Sequence, residues 1–306
     1  MGLSNRRKLA TTEGISRKTL SCRLKPFFNN PLTPQQVWKV LPPKLTKTKH
    51  PWIYATDGKW LKRQGVVIIH RDITNKENIY WSWWKSESYL AYSSDIQKLS
   101  DLFKDNLPSG AVSDWLGAIV EAVNTHFGDI AHQRCLTHVV RHAKRYLAKN
   151  SPFRATRILR KIASELIHIK DQNQKRLWLI KLIKWEKEYD YMLKEKTIAV
   201  GIPNKRWWYT HGDLRRGFRL LTHSWCPFFV HLNHSLIPHS NNSIEAVIGQ
   251  MKNKLNDHRG MKHPQQVLFL FWYLTFTRAK TRLDLKKLWV EWKKTYFSEL
   301  STQKVT

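Results

Sequence analysis

Three short runs near the front of the chain restrict its fold more than any other feature. Trp52–Thr56, Val66–Arg71 and Asn78–Trp84 are rich in β-branched and aromatic residues, and Asp57-Gly58 and Gln64-Gly65 punctuate them. A helix is expected over residues 91–106, a short strand at Ala111–Ser113, a helix over Leu116–His126 and another brief strand at Ile130–Cys135. Strands followed by alternating helix and strand point to an α/β fold. Asp57 then sits at the end of a first, central strand, and Asp114 directly follows a fourth. Each acid also has an ordinary reading: an Asp-Gly turn for Asp57 and a helix cap for Asp114.

A third acid stands far downstream, in Ser240–Gly260. Asn242 or Ser243 can cap a helix there, and Ile244, Val247, Ile248, Met251 and Leu255 form one apolar stripe at helical spacing. Gly260 can end it. Glu245 lies on the adjoining face with Gly249, Lys252 and Asn256, on a helix otherwise carrying Lys254, His258 and Arg259. Its carboxylate can hold a metal ion against a phosphodiester, or simply complement the positive end of the helix dipole.

Charge supplies the partner class. Lys and Arg number 53 against 23 Asp and Glu, a net +30, and the excess runs along the whole length. Such a field attracts polyanions, nucleic acid foremost. The 306 residues suggest roughly two domains with a large core, and the 15 Trp argue for a folded, enzyme-sized body. No apolar run approaches the roughly 18 residues of a membrane span, and no signal peptide opens the chain. The expectation is a soluble intracellular protein that engages no membrane. Cys22, Cys135 and Cys226 contain no CxxC pair, which argues against a disulfide framework or a four-cysteine zinc site. Cys135 and His138 are spaced like two zinc ligands, but no matching second pair is evident and a structural role is the alternative.

Residues 5–26 carry Ala10, Gly14 and Leu20 at helix-turn-helix spacing, with Gly14-Ile15-Ser16 as the turn and a second helix capped by Ser16. That helix would present Arg17, Lys18, Thr19, Ser21 and Arg23, which suit phosphate and base-edge contacts; a plain helical hairpin has the same pattern. Thr33-Pro34 starts a short helix, and Pro42-Pro43 with KLTKTKH reads as a basic linker. From Leu136 to Lys196 the pattern is helical and basic. Ile158, Leu159, Ile162, Leu166 and Ile169 form one stripe, and Leu177, Ile180 and Ile183 continue it in a second helix. The blocks Lys205–His211 and Leu214–Arg219 interleave aromatics with arginines; Trp207 and Trp208 suit a core, or stack on unpaired bases. Pro264 opens a last core helix with Val267, Leu270, Phe271 and Leu274 on one face, and the tail beyond Lys280 reads as a basic amphipathic helix.

Asp57 and Asp114 are 114 − 57 = 57 residues apart, and Asp114 and Glu245 are 245 − 114 = 131 apart. Strand ends at one sheet edge meet in space, and the helical block occupies the longer gap. Three carboxylates meeting on a positive surface repel one another unless cations sit between them. Oxygen ligands of this kind suit Mg²⁺, and two such ions clamp the attacking and leaving oxygens of a phosphoryl transfer.

The runs Thr56-Asp57-Gly58, Asp129–Lys144 with HQRCLTHVVRHAK, RWWYTHGDLRRGFR and NNSIEAVIGQMKNKLNDHRGM resemble the catalytic core of Mutator-type insertion-sequence transposases of bacteria and archaea. The likeness covers about residues 51–280, and its last motif is the most specific. It implies a ribonuclease-H-like mixed sheet with an α-helical insertion, plus an N-terminal helix-turn-helix segment. It also implies an Asp-Asp-Glu triad of Asp57, Asp114 and Glu245 holding Mg²⁺, with Mn²⁺ as substitute. Cys135 and His138 match the family's Cys-x-x-His element. Double-stranded DNA, as element ends and target, would be contacted by Arg17, Lys18, Thr19, Arg23, Trp208, His211, Arg215, Arg216, Lys252, His258 and Arg259. The implied division is 1–30 helix-turn-helix, 31–50 basic linker, 51–139 and 239–280 catalytic core, 140–238 all-α insertion and 281–306 basic C-terminal helix. A homodimer or larger complex in the prokaryotic cytoplasm, associated with the nucleoid, is expected. Many members carry a cysteine-rich zinc ribbon ahead of the helix-turn-helix, which this sequence lacks. A transposase-derived DNA-binding protein without catalysis is the other expectation.

Overall fold

The computed structural model describes residues 6–47, 49–200, 206–223, 226–258 and 260–303. It opens with α1 (Arg6–Thr12), α2 (Arg17–Asn29) and α3 (Pro34–Val40). Strands β1 (Ile53–Trp60), β2 (Val66–Asp72) and β3 (Glu77–Trp84) follow. Helix and strand then alternate: α4 (Tyr89–Leu102), β4 (Gly110–Ser113), α5 (Gly117–Phe127) and β5 (Ala131–Arg134). A helical block contains α6 (Leu136–Tyr146), α7 (Arg154–Glu165) and α8 (Gln172–Lys194), a hairpin of β6 (Lys196–Ile198) and β7 (Trp207–Tyr209), and α9 (Gly212–Thr222). The chain closes with α10 (Asn242–Asn256), α11 (His263–Arg278) and α12 (Arg282–Gln303). Among the described residues no helix is long and apolar enough to cross a membrane.

The fold is mixed α/β. Five strands form one sheet in the order β3-β2-β1-β4-β5, with β1 central as its apolar run suggests. β1, β4 and β5 run parallel, and β2 and β3 antiparallel. β2 is buried at every position, which explains why VVIIHRD lacks polar alternation. Asp57-Gly58 does not end the first strand as expected; β1 continues through it to Trp60. A Cβ on Gly58 would overlap Glu87 Oε1 and lie 2.7 Å from Val66 Cγ2, so this glycine permits a close approach rather than a turn. The reversal comes at 61–65, where Lys62 and Arg63 take φ of 47° and 62°.

The chain divides into two compact units, one drawn from 1–50, 58–87 and 245–306 and the other from 51–57 and 88–244. In the first, Phe27 of α2 stacks on Trp272 of α11 with ring centroids 4.0 Å apart and meets Trp292 of α12 edge-on at 5.2 Å. The Trp272 and Trp292 indoles donate to the carbonyls of Phe27 (3.1 Å) and Asn30 (3.0 Å). These bonds anchor the C-terminal half of α2, and the expected amphipathic tail is the third wall of that aromatic cluster. Within 31–47, part of the expected basic linker, Leu32, Val37 and Leu45 are buried. Trp38 Nε1 donates to the Ile79 carbonyl at 2.7 Å. Arg278 pairs with Glu77 at 3.0 Å and reaches the Leu41 carbonyl, while Glu77 also accepts from Lys44 N. The basic composition concealed four apolar anchors and one nearly buried ion pair.

In the second unit α4 packs against α5, and the helical block has its own core running from Leu136 to Phe229. The stripe on α7 is buried as expected at Leu159 and Ile162. On α8 the expectation picked the wrong face. Leu177, Ile180 and Ile183 are exposed, whereas Trp178, Leu182, Trp185, Tyr189 and Met192 are buried. Two apolar faces compete on this helix, and the one with tryptophans buries more surface and satisfies its indoles. Trp178 Nε1 donates to Ile162 O at 2.8 Å and Trp185 Nε1 to Ala155 O at 2.9 Å. The block is also not all-α, because the β6–β7 hairpin precedes α9.

Candidate functional site

Parallel pairing carries the first two acids toward one region of the sheet. β1 pairs with β4 as Ile53↔Gly110, Tyr54↔Ala111 and Ala55↔Val112, and Asp57 and Asp114 each follow the last of these pairs by two residues. β4 pairs with β5 through Ser113↔Arg134, which sets Cys135 in one row with Asp114. Neighbours in such a row have strands about 4.8 Å apart. The Cys135 amide confirms the row by donating to the Ser113 carbonyl at 2.8 Å. Both aspartates are half-buried, Asp57 within β1 and Asp114 directly past the carboxyl end of β4, the side on which ligand sites usually lie in α/β sheets.

The turn after β4 is fixed by a buried relay. Ser113 Oγ accepts from the Trp115 amide at 3.2 Å and bonds His132 Nε2 at 2.9 Å. Burial pushes the His132 imidazole down to about 4, so it is neutral and can accept the serine proton. Trp115 stands over His132 with centroids 4.9 Å apart and adopts φ 71°, a costly conformation for a bulky residue. Asp114 Oδ1 accepts from the Leu116 amide at 3.1 Å, which makes a local turn ahead of α5 rather than the expected cap, since Leu116 occupies the cap position with no side-chain cap bond. Burial lowers the Arg134 guanidinium, and the nearby Asp114 charge opposes that shift. His142 is lowered by burial and by the charges of Arg145 and His138, again opposed by Asp114. Asp114 thus lies in a cationic surround.

Asn241 joins the head of α10 to this row. Its side-chain amide donates to the Thr56 carbonyl at 3.2 Å, and its backbone N–H to Cys135 Sγ at 3.2 Å. It is fully buried, and Leu136 N adds a bond to the His239 carbonyl at 3.0 Å. α10 begins at Asn242, so the residue before the helix is Asn241 rather than Asn242 or Ser243. Sequence reading missed Asn241, although the doubled Asn ahead of an amphipathic helix was the available signal. Glu245 lies half-buried in the first turn of α10, and Ile244, Val247 and Met251 form the expected buried stripe. Further along, Lys252 is exposed and its charge helps lower the Lys59 ammonium, after burial. His258 packs edge-on against Phe269 at 5.0 Å, and Arg259 lies outside the described residues. Gly260, at φ 90°, turns the chain after the helix.

Cys135 is a buried hydrogen-bond acceptor, consistent with a structural role. His138 is half-buried on α6, with Nε2 3.4 Å from Arg141 Nη1. The remaining residues expected at DNA are divided between the two units. Arg17, Lys18, Thr19 and Arg23 are exposed on α2, which Ser16 caps by accepting from Thr19 N at 3.0 Å; Gly14, at φ 62°, makes the turn before it. Arg215 and Arg216 line a cleft of about 600 Å³ with Trp207, Trp208, Tyr209, Gly212 and Arg219. His211 is only partly exposed, bonded to Glu195 at 3.2 Å and set edge-on to Phe153. Trp207, expected with Trp208 either in a core or on unpaired bases, lines the cleft, as do Tyr209 and Arg219, which were not among the expected DNA contacts.

Compared with models of known protein families the chain matches none, and compared with curated proteins it again has no match.

Proposed function

We propose that the protein is a Mutator-type Asp-Asp-Glu transposase with a ribonuclease-H-like core, acting on double-stranded DNA in the prokaryotic cytoplasm. It cuts at element ends and joins the 3′-hydroxyls to target DNA. Asp57, Asp114 and Glu245 are its metal-binding acids, with Mg²⁺ preferred and Mn²⁺ a substitute. One observation carries the reading most: β1 and β4 pair in parallel as far as Ala55↔Val112, and Asp57 and Asp114, far apart in sequence, each follow that last pair by two residues. For Glu245 the support is chain continuity. Asn241 bonds the Thr56 carbonyl next to Asp57, and four residues span at most about 14 Å. A central strand between an antiparallel pair and two parallel strands, with a helical block ahead of α10, agrees with the same reading.

The carboxylate oxygens offered by both aspartates suit a hard divalent cation. Such ions, when bound, neutralise the phosphodiester and lower the pKa of an attacking water or 3′-hydroxyl. The protein's own contribution is placement. Strand pairing fixes the two aspartates, the Ser113–His132 relay holds the turn behind Asp114, and exposed lysines and arginines hold the DNA backbone. Two element ends must be brought together, which makes the working form at least a dimer.

The decisive experiment is Glu245→Gln with an end-containing duplex and Mg²⁺. Nicking and strand joining are abolished while binding in EDTA persists; retained joining rejects the assignment. The exposed Arg17, Lys18 and Arg23 equally suit a DNA binder without chemistry. That second reading gives a salt-dependent affinity and no cleaved product with either metal.

A further inference from the structure

We propose that the cleft between the β6–β7 hairpin and α9 takes one unpaired nucleotide of a DNA strand, its base on Trp207 and its phosphate between Arg216 and Arg219. This site is separate from the acid row and does not depend on those acids being catalytic. Its volume of about 600 Å³ suits a single small ligand rather than a duplex.

The walls are built for stacking. Trp207 and Tyr209 alternate to one side of β7 and meet edge-to-face at 5.1 Å. Lys196 Nζ lies 4.0 Å from the Trp207 ring, and Arg215 lies 4.0 Å over Tyr209. Arg215 is held there by donating to the Leu193 carbonyl at 2.9 Å, so it serves as part of the wall. Trp207 nevertheless remains 42% exposed, whereas the structural Trp178 and Trp185 are 2% exposed. An indole left open beside arginines differs from a core residue in the feature that matters for binding.

The charge selects the partner. Arg215, Arg216 and Arg219 line the cleft and Lys196 sits on the Trp207 ring; no carboxylate is among the described lining residues, while Asp213 engages Arg216 at 3.1 Å and Glu195 bonds His211 at 3.2 Å. Arg219 is exposed and has no carboxylate partner among the described residues. A ring system joined to a phosphate satisfies both the aromatic wall and the cationic rim. Inside a duplex the base faces are covered by their neighbours, so only an unpaired base has a face to offer.

The test uses the full-length protein in EDTA, with fluorescence anisotropy of a labelled short oligothymidylate, a blunt duplex and an oligouridylate. Trp207→Ala should weaken oligothymidylate binding about tenfold with little change for the duplex. Gly212→Phe is the second variant: a Cβ at Gly212 meets no atom within 4 Å, so the ring fills the cleft without displacing the fold. It should weaken the same probe similarly, with an unchanged circular dichroism spectrum. Arg219→Ala should lower the salt slope by about 0.7, one single-strand phosphate contact. Wild-type affinity for oligothymidylate in both Trp207→Ala and Gly212→Phe overturns the proposal, and tighter binding of oligouridylate overturns the assignment to DNA. Glu245→Gln should bind the oligothymidylate as the wild type does, so failure of the acids and failure of the cleft are read separately.

Discussion

The acid row and the nucleotide cleft are built in opposite ways. Asp57 lies in β1, and Asp114 and Cys135 directly follow β4 and β5, so their spacing depends on pairing between strands distant in sequence. The cleft lies within 207–219, a hairpin strand and the helix that follows it, supported from behind by side chains. The row is half-buried and held by fixed hydrogen bonds; the cleft is open and cationic. A site that must place atoms against one another uses the sheet, and one that must accept a flexible strand can use a local surface feature.

The largest way to break this contrast is to remove the cleft's support. Trp185 of α8 donates to Ala155 O and stacks on Phe218 of α9 with centroids 5.2 Å apart. Trp185→Ala should cost about 3–5 kcal/mol in urea unfolding. It should weaken oligothymidylate binding while the unit's other probe, the Trp115 amide resonance in a nuclear magnetic resonance spectrum, keeps its shift. Equal disruption of both signals would mean that row and cleft share one support.

The next effect sharpens the row. His132 titrates at about 4 when folded and near 6.5 when unfolded, so between those values the unfolded chain binds more protons. Stability therefore falls as pH drops from 6.5 to 4 and levels off below, with about 3 kcal/mol lost across the window. His132→Phe should flatten that slope when unfolding free energies are measured across the same range. An unchanged slope would remove His132 from the account. The smallest effect is Ser113→Ala, which deletes the bonds to Trp115 N and His132 Nε2 and should cost about 1–3 kcal/mol in urea unfolding, its main consequence being a looser turn behind Asp114. If thermal stability and Trp115 fluorescence both stay at wild-type values, the relay is not what holds the turn.

Much of the sheet was legible because its signals are local. The β-branched runs at 66–71 and 78–84 became β2 and β3 within about one residue, and the short strands flanking Leu116–His126 appeared where expected. The failures share one cause. Asp57-Gly58 has turn composition, yet Gly58 is needed because Glu87 and Val66 press on it from elsewhere in the chain. Leu177, Ile180 and Ile183 form a sound apolar stripe, yet the opposite face of α8 contains tryptophans whose indoles find carbonyls on α7. KLTKTKH looks like a linker, yet Leu45 is buried and Lys44 N bonds Glu77.

By itself, then, the sequence determined most of the strands and helices and the cationic character of the surface, because periodicity, turn residues and charge act over a few neighbours. The tertiary structure decided what those pieces meet: that β1 runs on through Asp57, that Asn241 ties the residues ahead of α10 to Thr56 and Cys135, and that Trp207 rather than a core tryptophan stays open. Those outcomes depend on pairing register and on competition between faces for burial, both of which are settled by residues tens to hundreds of positions away.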